Sequence, residues 1–121
     1  MKKRILIIDD EEAIRNNYKK FFYFLSKTLF EVIETSNATD ATNFIIREKV
    51  DIVILDIKMP NIDGQLMFEV IKEYNPHLKV IVASVYPIDQ QKRMIPFASE
   101  YFDKSQGPMK LLEKVTGALF S

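Results

Sequence analysis

Three aspartates follow apolar runs that have the length of β-strands. Asp9 and Asp10 come directly after residues 5–8, and Asp56 comes directly after residues 52–55. Runs of four aliphatic residues are typical of strands buried on both faces in a parallel sheet. Ligands of such sheets bind beyond the carboxyl ends of the strands, so the three carboxylates would converge if these strands are neighbours. Clustered carboxylates repel one another unless a cation joins them, and they suit Mg²⁺. The pattern predicts a metal-dependent acidic site.

Composition limits the classes of function. A chain of 121 residues predicts one domain, and its 17 basic and 17 acidic residues give no field that would attract nucleic acid or an anionic membrane. The absence of cysteine excludes disulfides and thiolate metal sites and fits a reducing compartment. The single histidine, His77, excludes a multi-histidine metal centre. No apolar stretch has the length of a signal peptide core or a membrane span, so we expect a small cytoplasmic domain.

Strand-like and helix-like segments alternate along the chain. Strands are predicted near residues 4–9, 30–35, 51–56, 79–84 and 100–103. Helices are predicted over residues 12–27, 41–49, 65–74, 88–95 and 108–120, with Asn37 as the cap of the second. Because βαβ crossovers are right-handed, this alternation predicts an α/β fold, a doubly wound parallel sheet with helices on both faces.

The first helix is unusually rich in aromatic residues. Its apolar spacing predicts that Phe21, Phe22 and Leu25 lie in the core. One helix face cannot bury the whole run, so Tyr23 and Phe24 are predicted to cover neighbouring loops, with contact to a partner as the alternative.

Four groups of residues, in order, resemble the receiver domain of bacterial response regulators. They are Ile-Asp-Asp-Glu at 8–11, Asp-Ile-Lys-Met-Pro-Asn-Ile-Asp-Gly at 56–64, Ser84, and Tyr-Phe-Asp-Lys at 101–104. The resemblance covers essentially the whole chain, and the ordered set is far more specific than any one group. It implies a five-stranded, flavodoxin-like sheet with strand order 2-1-3-4-5, in which strands one and three meet at the topological switch point.

The resemblance also implies a chemical role for each acidic residue. Asp56 would accept a phosphoryl group from a phosphohistidine on a sensor histidine kinase or a histidine phosphotransfer protein. Asp10 would bind Mg²⁺, or alternatively Mn²⁺, directly, and Asp9 would bind it directly or through water. Asp56 and the backbone carbonyl of Lys58 would complete the protein ligands.

Three further residues have implied roles around the phosphoryl group. Ser84 resembles the hydroxyl that moves to a phosphoryl oxygen, and Tyr101 resembles the aromatic residue that follows it inward. Lys104 resembles the lysine that pairs with the phosphoryl group. In this family the residues two beyond the acceptor and two beyond the hydroxyl govern access of water, and here they are Lys58 and Tyr86. Neither can orient water well, so a long-lived phosphoryl group is predicted.

The sequence departs from the family pattern around the fourth and fifth strands. Val85 replaces a small residue and is predicted to crowd the phosphoryl pocket. Ser105 replaces a proline that follows a cis peptide, so the loop holding Lys104 is predicted to be trans and shifted, or strained. The fourth helix is short and ends at Pro96, and Phe97 stands where a glycine-like residue is expected. These changes favour the phosphorylation chemistry over the usual conformational response.

We therefore interpret residues 1–121 as a stand-alone receiver domain without an output domain. It is expected to signal through contacts with a downstream protein target, as a monomer or weak dimer, with no direct nucleic acid binding and no membrane insertion. It is not expected to be an enzyme beyond self-catalysed phosphoryl acceptance and slow autodephosphorylation. One alternative is a degenerate receiver that docks a partner independently of phosphorylation. Another is a small Mg²⁺-dependent aspartyl phosphohydrolase, although Lys58 stands where its second acid is expected and no insertion is long enough to form a cap.

Overall fold

A central sheet of five parallel strands carries the site. A computed structural model describes residues 2–120 of the chain. The sheet strands are β1 (Lys3–Ile8), β2 (Phe30–Thr35), β3 (Ile52–Asp56), β6 (Lys79–Ser84) and β7 (Glu100–Asp103). Two short strands, β4 (Lys58–Met59) and β5 (Ile62–Asp63), form a separate antiparallel ladder. The sheet order is β2-β1-β3-β6-β7, which is 2-1-3-4-5 when only the sheet strands are counted, so the predicted topology is confirmed.

Five α-helices cover the two faces of the sheet. They are α1 (Glu12–Ser26), α2 (Ala38–Arg47), α3 (Gly64–Tyr74), α4 (Ile88–Met94) and α5 (Pro108–Phe120), and a 3₁₀ turn spans Lys104–Gln106. The predicted bounds agree with these to within a few residues. The ladder of β4 and β5 and the 3₁₀ turn were not predicted. Across residues 2–120, no helix has the length and apolar character that crossing a bilayer requires.

Alternating strand side chains form two separate cores. Ile5 and Ile7 of β1 face one side of the sheet with residues of α1 and α5, whereas Leu6 and Ile8 face the other side with residues of α2, α3 and α4. This division follows from the two-residue period of a strand. Since every strand side chain of residues 5–8 is fully buried, the apolar run is explained by burial on both faces.

Side-chain N-caps mark the start of two helices, α2 and α3. The side chain of Asn37 accepts a hydrogen bond from the Asp40 backbone N–H at 2.8 Å, as expected of an N-cap. Asp63 caps α3 in the same way. Gly64 follows it because a Cβ there would lie 2.7 Å from the Cα of Ile57, closer than real Cβ contacts come.

The prediction for the aromatic run of α1 was partly wrong. Phe22 is fully buried and Phe21 is half-buried, but Leu25 is 47% exposed. Tyr23 and Phe24 are 64% and 88% exposed, so they do not cover loops. The buried stripe of α1 is the single i, i+4 row that contains Phe22, and this row is too narrow to include Leu25.

Candidate acidic site at the topological switch point

The register of β1 and β3 brings the three predicted aspartates together. Ile8 is the neighbour of Leu55, so the residues that follow them reach the same edge of the sheet. Carboxylate oxygens of Asp9, Asp10 and Asp56 all lie within 4.8 Å of one another. Asp9 and Asp56 are buried, and Asp10 is the more exposed member. An oxygen-only cluster of this kind matches the ligands that Mg²⁺ prefers.

Backbone amides hold one oxygen of each buried carboxylate. The Glu11 N–H donates to Asp9 Oδ1 at 2.9 Å, and the Lys58 N–H donates to Asp56 Oδ1 at 3.0 Å. The second oxygens share one ammonium, because Lys104 Nζ lies 2.9 Å from Asp9 Oδ2 and 3.2 Å from Asp56 Oδ2. The cluster therefore has a fixed cation on one side.

Burial controls the ionisation of the central groups. It raises the pKa of Asp56 to about 6, although the Lys58 N–H and the Lys104 charge act in the opposite direction. Burial alone would lower the pKa of Lys104, but hydrogen bonds and attraction to the two aspartates outweigh it, and the pKa is raised. Asp56 is thus mainly ionised at neutral pH and Lys104 stays protonated. A buried carboxylate and a fixed positive charge therefore lie in direct contact.

A hydroxyl lies one strand away from the acidic cluster. Asp56 of β3 is the neighbour of Ala83 in β6, and Ser84 is the next residue and is fully buried. The Ser84 Oγ accepts a hydrogen bond from the Tyr86 N–H at 3.2 Å, so this hydroxyl stabilises the turn that follows β6.

The side chains two residues beyond Asp56 and two beyond Ser84 contact each other. The Lys58 Nζ lies 5.3 Å from the centroid of the Tyr86 ring, within the range of a cation–π contact. Val85 is 58% exposed, so much of this residue faces solvent.

No peptide bond among residues 2–120 is cis, and this includes the loop that carries Lys104. Asp103 instead caps the 3₁₀ turn, because its Oδ1 accepts the Ser105 N–H at 2.9 Å and the Ser105 hydroxyl at 2.8 Å. The Gln106 side chain completes the capping box. The peptide after Lys104 is therefore trans, as one of the two predicted alternatives required, and Lys104 reaches both aspartates.

Tyr101 occupies an inward position. Its hydroxyl donates to the Ile95 carbonyl at 2.6 Å and accepts from the Ala98 N–H at 3.1 Å, and the residue is buried. The neighbouring Phe97 has a φ of 70° and is 91% exposed. A left-handed conformation is unfavourable for phenylalanine, which explains why a glycine-like residue was expected there.

Two residues near the site were not identified from the sequence. Arg15 donates from Nη1 to the Asp9 carbonyl at 2.8 Å and from Nε to Glu34 Oε1 at 3.0 Å. Gln91 is fully buried in α4 and donates to two backbone carbonyls. The position of Arg15, one helical turn beyond the acidic cluster, was an available signal. The sequence held no comparable signal for Gln91.

Comparison with known proteins finds one family across the chain. The model of the response regulator receiver domain matches residues 5–116. Sporulation initiation phosphotransferase F of Bacillus subtilis is 29% identical over 86 residues, which cover 71% of this chain and 67% of that protein. Response regulator GtcR of Aneurinibacillus migulanus is 33% identical over 98% of this chain, which spans about half (48%) of GtcR.

Solved structures show the same fold. A CheY-like receiver domain protein from Methanospirillum hungatei has a TM-score of 0.87 and 29% identity, and the match covers 98% of this chain and 94% of that one. Response regulator TrrA from Thermotoga maritima, in complex with Mg(2+)-BeF, has a TM-score of 0.85 and 32% identity, with 97% and 99% of the two chains covered.

Proposed function

This chain belongs to the response regulator receiver domain family, whose members are signalling modules of two-component systems, and we propose that it accepts a phosphoryl group on Asp56. The donor is a phosphohistidine on a sensor histidine kinase or a histidine phosphotransfer protein. The observation that carries the proposal is the arrangement of Asp56, a buried carboxylate with an oxygen within 4.8 Å of the Asp9 and Asp10 carboxylates and with its Oδ2 3.2 Å from the Lys104 ammonium.

The chain's own groups suit this transfer. A carboxylate oxygen of Asp56 forms the new bond to phosphorus, while the bond from phosphorus to the donor imidazole breaks and its electron pair stays on the imidazole nitrogen, which then takes up a proton. Charge in such a transition state is spread over the equatorial oxygens, so positioning and electrostatics dominate catalysis. Lys104 supplies a fixed positive charge, and the Ser84 hydroxyl can donate a hydrogen bond to a phosphoryl oxygen.

The same cluster is proposed to hold the metal ion. Asp9, Asp10, Asp56 and the backbone carbonyl of Lys58 would bind Mg²⁺, or Mn²⁺ in its place. When bound, the ion would neutralise charge on the incoming group. The close approach of three carboxylates supports this assignment, and so does the relative TrrA, whose structure is a complex with Mg(2+)-BeF.

The signal is proposed to pass from Ser84 to Tyr101. Movement of the hydroxyl toward the phosphoryl group opens space beside β7. Because Tyr101 is already inward and makes two hydrogen bonds, we expect a smaller rearrangement than is usual in the family. Hydrogen exchange before and after phosphorylation measures this change. Large changes that spread from Ser84 across β7 would contradict the expectation.

Labelling with acetyl phosphate and Mg²⁺ tests the acceptor. We expect one phosphoryl group per chain in the parent, no label in Asp56→Asn, and unchanged stoichiometry in Asp103→Asn. The Asp103 variant is a strict control because this acid lies next to Lys104 and asparagine can keep its cap. A labelled Asp56→Asn protein would end the assignment.

The same assay separates the alternative functions. A degenerate docking module would take up no label, and a phosphohydrolase would release phosphate over many turnovers. The Lys104–Asp56 ion pair counts against the first alternative. The side chain two residues beyond the acceptor, Lys58, contacts Tyr86 and is not an acid, which counts against the second.

The proposed setting of this activity is the cytoplasm, where a monomer or weak dimer would act through contacts with a downstream protein. Equal numbers of acidic and basic residues support a protein target over direct binding to nucleic acid.

A further inference from the structure

Gln91 connects two parts of the chain that border the acidic site. The residue lies in α4 and is fully buried. Its Nε2 donates to the Tyr86 carbonyl at 2.8 Å and to the Phe102 carbonyl at 2.9 Å. Both amide hydrogens are therefore used, and a flipped amide would turn its oxygen toward two carbonyl oxygens. The orientation of this side chain is fixed by its partners.

The two carbonyls belong to the segments that carry the hydroxyl and the ammonium. The Tyr86 N–H donates to the Ser84 hydroxyl, so holding Tyr86 also holds that hydroxyl. Phe102 lies two residues before Lys104, whose ammonium reaches Asp56. A single side-chain amide thus joins the turn after β6 to the end of β7.

Strand pairing does not supply this connection. The ladder between β6 and β7 ends where Ser84 neighbours Asp103. Tyr86 lies beyond that point, and its carbonyl is held to β7 by the Gln91 amide. The turn is therefore secured by a side chain at the place where the backbone ladder stops.

Packing alone does not account for a glutamine at this position. The Gln91 Oε1 is buried and has no hydrogen-bond partner among the described residues. A buried unpaired acceptor is unfavourable, and an apolar side chain of similar length would avoid that cost. What glutamine adds is the pair of donated hydrogen bonds.

We propose that Gln91 is a positioning residue for phosphoryl acceptance. It holds the Ser84 hydroxyl and the Lys104 ammonium in fixed relation across the pocket that receives the phosphoryl group. This inference rests on the proposed function of Asp56. Gln91 acts through the segments it binds and does not touch the reacting atoms.

The test compares Gln91→Met with Gln90→Met. Methionine keeps the length of the side chain and removes both donors. Gln90 is the matched control, because it is the adjacent helix residue, half-buried, and its side chain makes no hydrogen bond to the described part of the chain. Gln91→Asn is the second variant if the methionine variant does not fold, since one methylene less prevents the amide from spanning both carbonyls.

Three measurements are made at conditions where all variants are folded. In the metal-free protein, the Tyr86 amide should exchange about tenfold faster or more in Gln91→Met than in parent or control, because local opening becomes easier. The rate of phosphoryl uptake from acetyl phosphate should fall by about ten- to a hundredfold, the range expected of misplaced catalytic groups. The Mg²⁺ dissociation constant should stay within about twofold, because the three acids lie at the carboxyl ends of β1 and β3, away from the segments that Gln91 binds.

The outcomes separate this inference from the proposed function. Failure of the parent itself to take up label counts against Asp56 as the acceptor, and the amide exchange then still decides whether Gln91 holds the turn. Equal exchange and equal uptake in the Gln91 and Gln90 variants would overturn the inference. Parallel losses of uptake and Mg²⁺ affinity in Gln91→Met would also overturn it, because they would indicate general disruption of the fold.

Discussion

Replacing Asp56 with asparagine should stabilise the metal-free protein. The carboxylate is buried beside Asp9, and its pKa rises from an ordinary 3.8 to about 6 in the folded state. Each pKa unit between folded and unfolded states corresponds to about 1.36 kcal/mol, so ionised Asp56 lowers the free energy of unfolding by about 3 kcal/mol. The raised pKa already includes the attraction between the Asp56 carboxylate and the Lys104 ammonium, so no separate energy is added for that ion pair. Asparagine is uncharged and keeps an oxygen for the Lys58 N–H.

The direction of the pH dependence follows from the raised pKa. Well above pH 6, Asp56 is ionised in both states, and the full gain of about 3 kcal/mol from the substitution is expected. The gain declines as the pH falls, because the folded carboxyl takes up a proton first. About half of it should remain at pH 5, and essentially none well below pH 3.8, where both states are protonated.

Urea denaturation in EDTA at pH 8 and pH 5 measures the effect. Asp103→Asn is the control of opposite sign, since hydrogen bonds from Ser105 lower the pKa of Asp103 and its ionised form favours folding. That variant should show no gain at either pH. An Asp56→Asn protein no more stable than the parent at pH 8, or one whose gain is the same at both pH values, would refute the reasoning.

Four further predictions test the site and its surroundings. Mg²⁺ at a hundred times its dissociation constant should stabilise the parent by about 2.7 kcal/mol in thermal unfolding and barely affect Asp10→Ala, and equal effects would place the ion elsewhere. Gly64→Ala should lower the free energy of unfolding in urea by about 1–3 kcal/mol, because the new Cβ would lie 2.7 Å from a backbone carbon. Gly117→Ala is the control: its Cβ would have no neighbour within 4 Å, so the free energy of unfolding should rise by up to about 1 kcal/mol through higher helix propensity. Phe97→Gly should raise the free energy of unfolding by about 0.5–1 kcal/mol, since the exposed side chain at φ 70° contributes little burial, and a loss would show that the ring has a packing role. Tyr86→Ala should shorten the lifetime of the phosphoprotein in single-turnover decay with Mg²⁺ present, because the ring near the site no longer limits access of water, and an unchanged lifetime would exclude that shielding.

The sequence alone determined the five strands of the main sheet, the five α-helices and the strand ends at which the acids lie. Burial on both faces requires continuous apolar runs, and such runs can be recognised without knowledge of their neighbours. The Asn37 cap is equally local, since donor and acceptor lie three residues apart. The strand order came from the resemblance, and it brought Asp9, Asp10 and Asp56 together correctly because all three are tied to strand ends.

Tertiary structure decided what depends on distant partners. Whether Leu25 was buried depended on the width of the α1 stripe that faces the sheet, which helical spacing does not specify. The ion pairs of Lys104 with two aspartates join residues separated by 95 and 48 positions. In the sequence, Gln91 cannot be distinguished from other polar residues of a short helix, and only the structure shows its two carbonyl partners. Side-chain hydrogen bonds between separate segments leave no periodic pattern in a sequence, because each depends on where the whole chain places its two ends.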